Sequence, residues 1–150
     1  MIMRTHLAMN VAVMLFFLPF VEQFWVFIPV FLFATLLPDV DSGFSYLGKK
    51  PLFRPLNYFV KHRGFFHSLT FAALLGFVLA FYYPVLAFPF FLGYSFHLVA
   101  DSFTVEGIRP FWPLKGEVSG SLRVGGTVED GLFLFFVVID ILMVVLYFLH

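Results

Sequence analysis

The chain has 150 residues, of which 61% are hydrophobic and only 12% charged, and its formal net charge is zero. Soluble domains are about half apolar and about a quarter charged, and one of this size cannot bury 25 phenylalanines in a single core. The composition therefore predicts one all-α, polytopic membrane domain over residues 1–150. Zero net charge argues against a nucleic-acid partner, and the absence of cysteine excludes disulfides, thiolate metal ligands and a cysteine nucleophile.

The first apolar run, residues 7–37, predicts two helices joined by a tight hairpin. It is too long for one membrane span of roughly 17–25 residues, and Pro19, Glu22 and Gln23 interrupt it near its middle. The run contains no small-residue cleavage site, so we expect it to remain in the protein rather than to be removed as a signal peptide.

The remaining apolar runs predict three more helices, which makes five membrane-spanning helices in total. Residues 65–103 are long enough for two helices, and the chain is expected to break at Pro84, with Pro89 as a second candidate break. Residues 131–149 form the fifth predicted helix. We expect the segment 38–64 to be a loop with short interfacial helices.

All nine Lys and Arg residues lie on one face of this arrangement. With five spans, the N-terminus, the 38–64 loop and the 104–128 loop share a face, and these segments contain every Lys and Arg of the chain. Loops rich in Lys and Arg stay on the cytoplasmic side of a membrane. We therefore expect an integral protein of the cytoplasmic (inner) membrane, with its N-terminus inside and its C-terminus outside.

Most of the other ionisable residues gather at the same predicted face, beside helix ends, where such groups are costly and by default functional. They are His6, Asp39, Asp41, His62, His67, His97, Asp101 and Glu129. His97 and Asp101 are four residues apart and so share one face of a helix. Imidazole and carboxylate ligands suit zinc (Zn2+), manganese (Mn2+) or iron (Fe2+) rather than calcium. Because the donors exceed the needs of one tetrahedral ion, we expect two divalent ions.

Each cluster also has a simpler interpretation. Asp39 and Asp41 could cap a turn. His97 and Asp101 could form an orienting hydrogen-bonded pair, and Arg63 could mark membrane topology instead of binding an anion. These interpretations must hold one by one, whereas a shared metal site accounts for the residues together. The sequence therefore predicts a divalent metal site at the cytoplasmic ends of the helices.

Four ordered motifs run along most of the chain. They are Thr5-His6-Leu7-Ala8, Leu37-Pro38-Asp39-Val40-Asp41-Ser42, His62-Arg63-Gly64 with His67-Ser68, and Gly93-Tyr94-Ser95-Phe96-His97 with Asp101. This set resembles the YdjM-like membrane-bound metal-dependent hydrolases, also described as LexA-regulated inner-membrane hydrolases. The resemblance implies a hydrolase with bound metal at His6, Asp39, Asp41, His62, His67, His97 and Asp101, with Glu129 in a more loosely matching segment.

The His and Asp pattern is also similar to zinc-dependent phospholipases C and related zinc nucleases, although the spacings differ. Those helical enzymes split phosphoesters, so the resemblance implies a phosphoesterase that uses metal-activated water on a small-molecule or lipid substrate, with membrane lipids as partners. Asp39 or Asp41 is the expected general base, and Arg63 the expected phosphate ligand. The alternative class is a non-catalytic metal carrier, sensor or scaffold. The oligomeric state stays open.

Overall fold

The computed structural model describes residues 1–41 and 64–149, and the side chains of residues 1–39 and 64–149. Within these ranges, the regular structure is helical apart from two isolated β bridges. The five α helices are α1 (Met3–Phe17), α2 (Phe24–Leu36), α3 (Leu69–Tyr82), α4 (Pro84–Ser102) and α5 (Thr127–Leu149). The predicted all-α membrane bundle is thereby confirmed.

Proline determines where the helices are interrupted. Pro19 lies in a short 3-10 turn, Leu18–Phe20, which separates α1 from α2 as the sequence predicted. Pro84 occupies the first turn of α4, where the missing backbone N–H costs no helical hydrogen bond, and it separates α4 from α3. The chain does not break again at Pro89, because α4 continues through that residue.

Three helical segments are long and apolar enough to cross a membrane: Met3–Phe20, α4 and α5. The other two helices, α2 with 13 residues and α3 with 14, are shorter than the roughly 17–25 residues of a typical span. Both short helices pack against α4. The described residues thus contain the expected number of helices, although only three of these five have the length of a full span.

Helix α4 is central to the bundle, because it packs against α1, α2 and α3, while α5 packs against α1. The α2–α4 contact is close at Gly93, where an added Cβ would lie only 2.5 Å from the carbonyl oxygen of Phe31. A glycine at this position allows the two backbones to approach. Ala34 on α2, Ala72 on α3 and Tyr94 on α4 belong to one buried cluster.

The starts of α1 and α5 and the ends of α2 and α4 lie at one end of the bundle, which we call the polar end. Here the backbone N–H of Ile2 donates to Glu129 Oε1 at 2.5 Å, and the backbone nitrogen of Met1 lies 2.6 Å from Asp101 Oδ1. The 103–126 segment folds back on itself at this end through a backbone pair between Ile108 and Val118. The fold therefore brings together the helix ends at which the sequence places its candidate ligands.

Candidate metal centre

His97 and Asp101 lie one turn apart near the end of α4, and both are buried. His97 Nε2 is 3.6 Å from Asp101 Oδ2, so the two side chains share a helix face as their spacing predicts. The two oxygens of Asp101 face different neighbours. Oδ2 faces the imidazoles of His97 and His67, whereas Oδ1 faces His6 and the backbone nitrogen of Met1.

Four donor atoms from three segments of the chain form a closed ring in which nitrogen and oxygen alternate. Asp39 Oδ1 is 3.8 Å from His67 Nε2 and 3.9 Å from His97 Nε2. Asp101 Oδ2 is 3.8 Å from His67 Nε2 and 3.6 Å from His97 Nε2. In a tetrahedral zinc site with bonds of about 2.1 Å, neighbouring ligand atoms are about 3.4 Å apart. The four nitrogen–oxygen separations among these residues, which we call the donor quartet, are slightly longer than this spacing.

His6 lies next to the donor quartet. Its ring stacks on that of His97, with centroids 4.0 Å apart and planes within 4° of parallel. His6 Nε2 is 3.1 Å from Asp101 Oδ1. His6, His97 and Asp101 thus form a second group of three donors close enough together for one ion, and it shares His97 with the group of Asp39, His67 and His97.

The donor set fits a divalent metal ion. Both ring nitrogens of His97 and Nδ1 of His6 are buried and have no hydrogen-bond partner among the described residues. Buried polar atoms of this kind are costly unless another group satisfies them. A metal ion at the donor quartet would satisfy Nε2 of His97, which faces both carboxylates, and imidazole with carboxylate is a ligand set that zinc accepts. The residues that the structure places here could therefore bind a metal ion.

The candidate metal centre is buried except on the side of Asp39. The side chains of His6, His67, His97 and Asp101 are at most 3% exposed, whereas that of Asp39 is 24% exposed. Burial by itself would raise the pKa of Asp39, but the facing imidazole of His67 and the charges of His97 and His6 outweigh it and lower this pKa to about 2. Asp39 is therefore ionised at neutral pH, as a metal ligand must be.

Two contacts hold the segment that carries His67. The hydroxyl of Tyr94, on α4, donates to the carbonyl oxygen of Phe66. Ser68 caps α3, because its Oγ accepts from the backbone N–H of Phe71 at 3.1 Å. The imidazole of His67 is thus positioned by α4 on one side and by the start of α3 on the other.

Asn10 was not singled out in the sequence, yet it is fully buried one turn after His6. Its Nδ2 donates to the carbonyl oxygen of His6 at 2.9 Å. A polar side chain inside an apolar helix, four residues from a candidate ligand, is the signal that could have identified it. The supporting role of Tyr94 had no such signal, since it depends on where α4 meets the segment before α3.

The remaining predicted site residues do not join these donors among the described side chains. Glu129 is buried, but its carboxylate accepts from the backbone N–H groups of Ile2 at 2.5 Å and Gly125 at 2.6 Å. It thereby connects the start of α5 to the start of α1. His62 and Arg63 lie outside the described residues, as does the side chain of Asp41.

Comparison with known proteins agrees with the resemblance seen in the motifs. A family model described as "YdjM inner membrane protein" matches residues 1–149. The inner membrane protein YdjM of Escherichia coli (strain K12) is 35% identical over 102 residues, which cover 62% of this chain and 52% of that protein, and the Shigella flexneri YdjM gives the same values. The uncharacterized protein YvsG of Bacillus subtilis (strain 168) is 31% identical over 84 residues, covering 53% of this chain and 52% of YvsG.

The chain spans about half the length of the curated relatives it matches, and no solved structure matches it. The family match, in contrast, extends over nearly the whole chain, including all the candidate ligands. Together with the apolar helices, the match identifies an inner membrane protein. The chain belongs to the YdjM inner membrane protein family.

Proposed function

We propose that this inner membrane protein is a metal-dependent phosphoester hydrolase whose active site is the donor quartet, at the cytoplasmic face of the membrane. The observation that carries the proposal is the arrangement of the quartet, with three side chains buried and the fourth, Asp39, accessible. A catalytic metal site needs a position open to water and substrate, and the side of Asp39 supplies it.

Asp39, His67, His97 and Asp101 would hold the ion, and zinc is the metal we expect, with manganese and iron as alternatives. A bound divalent ion supplies Lewis-acid activation of water and of a phosphoryl oxygen. We propose a second ion because His6 extends the donor set beyond the quartet. In either case His6 orients the Asp101 carboxylate through the 3.1 Å contact to Oδ1.

Asp39 is the proposed general base, because its carboxylate lies on the accessible side of the donor quartet. An oxygen of Asp39 that is not bound to the ion would take the proton of the attacking water. Asp41, two residues further on, is the alternative base. Arg63 is proposed to bind the phosphate of the substrate, since a guanidinium matches phosphate geometry.

The test compares two matched substitutions in detergent-purified protein. Asp101→Asn removes a buried carboxylate of the quartet, whereas Asp130→Asn removes an exposed one that pairs with Arg4. We would measure bound metal and the hydrolysis of bis(p-nitrophenyl) phosphate. We expect Asp130→Asn to match the unmodified protein, and Asp101→Asn to lose metal affinity and activity by at least about 10–100-fold.

Equal metal affinity in the two variants would contradict the metal centre itself. Metal binding that depends on Asp101, but without hydrolysis of phosphodiester or phosphomonoester probes, would favour the alternative function of a carrier, sensor or scaffold. The metal measurement thus tests the site, and the hydrolysis measurement tests the chemistry.

A further inference from the structure

The 103–126 segment turns sharply at residues 110–114 and exposes apolar side chains there, at the polar end of the bundle. Phe111 and Leu114 are 60% and 68% exposed, and Trp112 between them is also exposed. The backbone N–H of Leu114 donates to the carbonyl oxygen of Phe111 at 2.8 Å, which closes the turn. Adjacent large apolar side chains on a protein surface mark a site of contact with a partner or a membrane. We call residues 110–114 the apolar turn.

The apolar turn lies beyond the start of α3. The backbone N–H of Thr70, in the first turn of α3, donates to the carbonyl oxygen of Pro110 at 3.3 Å. The first N–H groups of a helix have no partner inside the helix and point out of its start, so Pro110 lies near the extension of the helix axis. The Trp112 ring packs edge-to-face against Phe65, with centroids 5.0 Å apart, and Phe65 packs in the same way against Phe71 of α3 at 4.9 Å. The apolar surface of α3 therefore continues into the turn.

The length of α3 indicates how far the membrane reaches past it. Its 14 residues rise about 21 Å, whereas the hydrocarbon core of a bilayer is about 30 Å thick. Tyr82 and Tyr83 lie exposed at the end of α3, and exposed tyrosines at a helix end are typical of the membrane–water interface. With that end at the interface, roughly 9 Å of hydrocarbon extends past the start of α3. The apolar turn therefore occupies the level at which a bilayer around α3 would end.

We propose that the apolar turn inserts into the lipid leaflet beside the polar end, with Trp112 at the membrane–water interface and Phe111 and Leu114 among the acyl chains. The occupant is bilayer lipid, because the turn is continuous with the outer face of α3, where Phe77 is exposed. Lys115, the next residue, is exposed, and its long side chain reaches the level of the lipid phosphates. The inference goes beyond the proposed function, since contact with lipid requires neither metal nor turnover.

The chain has two tryptophans, so the contact can be measured by fluorescence. Trp25→Phe leaves Trp112 as the single reporter, and the control Trp112→Phe leaves Trp25, which is exposed at the start of α2 at the opposite end of the bundle. Each purified variant is placed in nanodiscs of phosphatidylcholine, with or without bromine on the acyl chains, and iodide is added from the water. We expect brominated lipid to remove most of the Trp112 emission and iodide to leave it nearly unchanged, because the ring lies against lipid.

A second pair of variants tests whether the exposed side chains of the turn insert it. In the Trp25→Phe background, the double substitution Phe111→Ser and Leu114→Ser removes the apolar tip. The matched control Val124→Ser removes an exposed apolar side chain of the same segment outside the turn. We expect the double variant to lose quenching by brominated lipid and to gain quenching by iodide, and the control to remain unchanged. Equal quenching in these two variants would overturn the assignment.

Two other results would also overturn the inference. Quenching of Trp112 by iodide but not by brominated lipid would show that water faces the turn, and that the bilayer instead thins around the short helix α3. Quenching by neither reagent would show that protein covers the turn, such as a second copy of this chain.

Discussion

Replacing Gly93 by alanine is expected to weaken both the bundle and the metal centre. Gly93 lies one turn before His97 on α4, at the contact with α2. An added Cβ would lie 2.5 Å from Phe31 O and 3.2 Å from Thr35 Oγ1. Ordinary contact begins at 3.4 Å, so the backbones must separate by about 0.9 Å at this point.

The size of the effect follows from this separation. Overpacking a close-packed interior costs about 1–3 kcal/mol, so the free energy of unfolding should fall by that amount. The displaced helix carries His97 and Asp101. Metal–ligand distances tolerate deviations of only about 0.2 Å, so a movement of several tenths of an ångström should lower zinc affinity at least about tenfold.

The matched control is Gly131→Ala on α5, where an added Cβ meets no atom within 4 Å. Unfolding would be followed by denaturant titration in micelles, and zinc affinity by competition with a chelator. Gly131→Ala should leave zinc affinity unchanged and raise the free energy of unfolding by up to about 1 kcal/mol, since alanine favours a helix over glycine. If both variants had the same unfolding free energy and zinc affinity, the close α2–α4 approach would be refuted, and with it our account of how His97 is placed.

Two further predictions concern the support of the site and its orientation in the membrane. Tyr94→Phe removes the donor to Phe66 O, so it should lower the free energy of unfolding by about 1–3 kcal/mol and weaken zinc binding about 10–100-fold. The control Tyr147→Phe removes a 2.9 Å hydrogen bond to Leu15 O and should leave zinc affinity unchanged. An equal loss of zinc in both variants would contradict the role of Tyr94. Because the chain has no cysteine, single cysteines can report orientation. An impermeant maleimide on intact cells should label Glu22→Cys but not Lys115→Cys, and the reverse pattern would show that the N-terminus lies outside.

The helices could be predicted because a membrane limits the backbone to few choices. Lipid offers no hydrogen bonds to peptide groups, so long apolar runs must form helices, and Pro19 and Pro84 indicate where such runs divide. The boundary of α5 was less certain from hydropathy. The helix begins at Thr127, before the apolar run that starts at residue 131, because its first turn is polar and contains Glu129 and Asp130.

Part of the candidate site was also determined locally. His97 and Asp101 share a face because they are four residues apart on one helix, and no other part of the chain is needed to place them together. The alternation of helix direction further predicted that His6, Asp39 and His67 would lie at the same end of the bundle. As metal ligands, all these residues stay predictions until metal is measured.

Only the tertiary structure decided which of these groups meet and how. It places both Asp101 oxygens between donors, so that this carboxylate faces His6 with one oxygen and the imidazoles of His67 and His97 with the other. It also directs Glu129 to backbone N–H groups instead of the donors. It also brings α1 and α5, which are more than 100 residues apart, into direct contact. Contacts of this kind depend on how the side chains of distant helices pack, and periodicity along one segment contains no information about them.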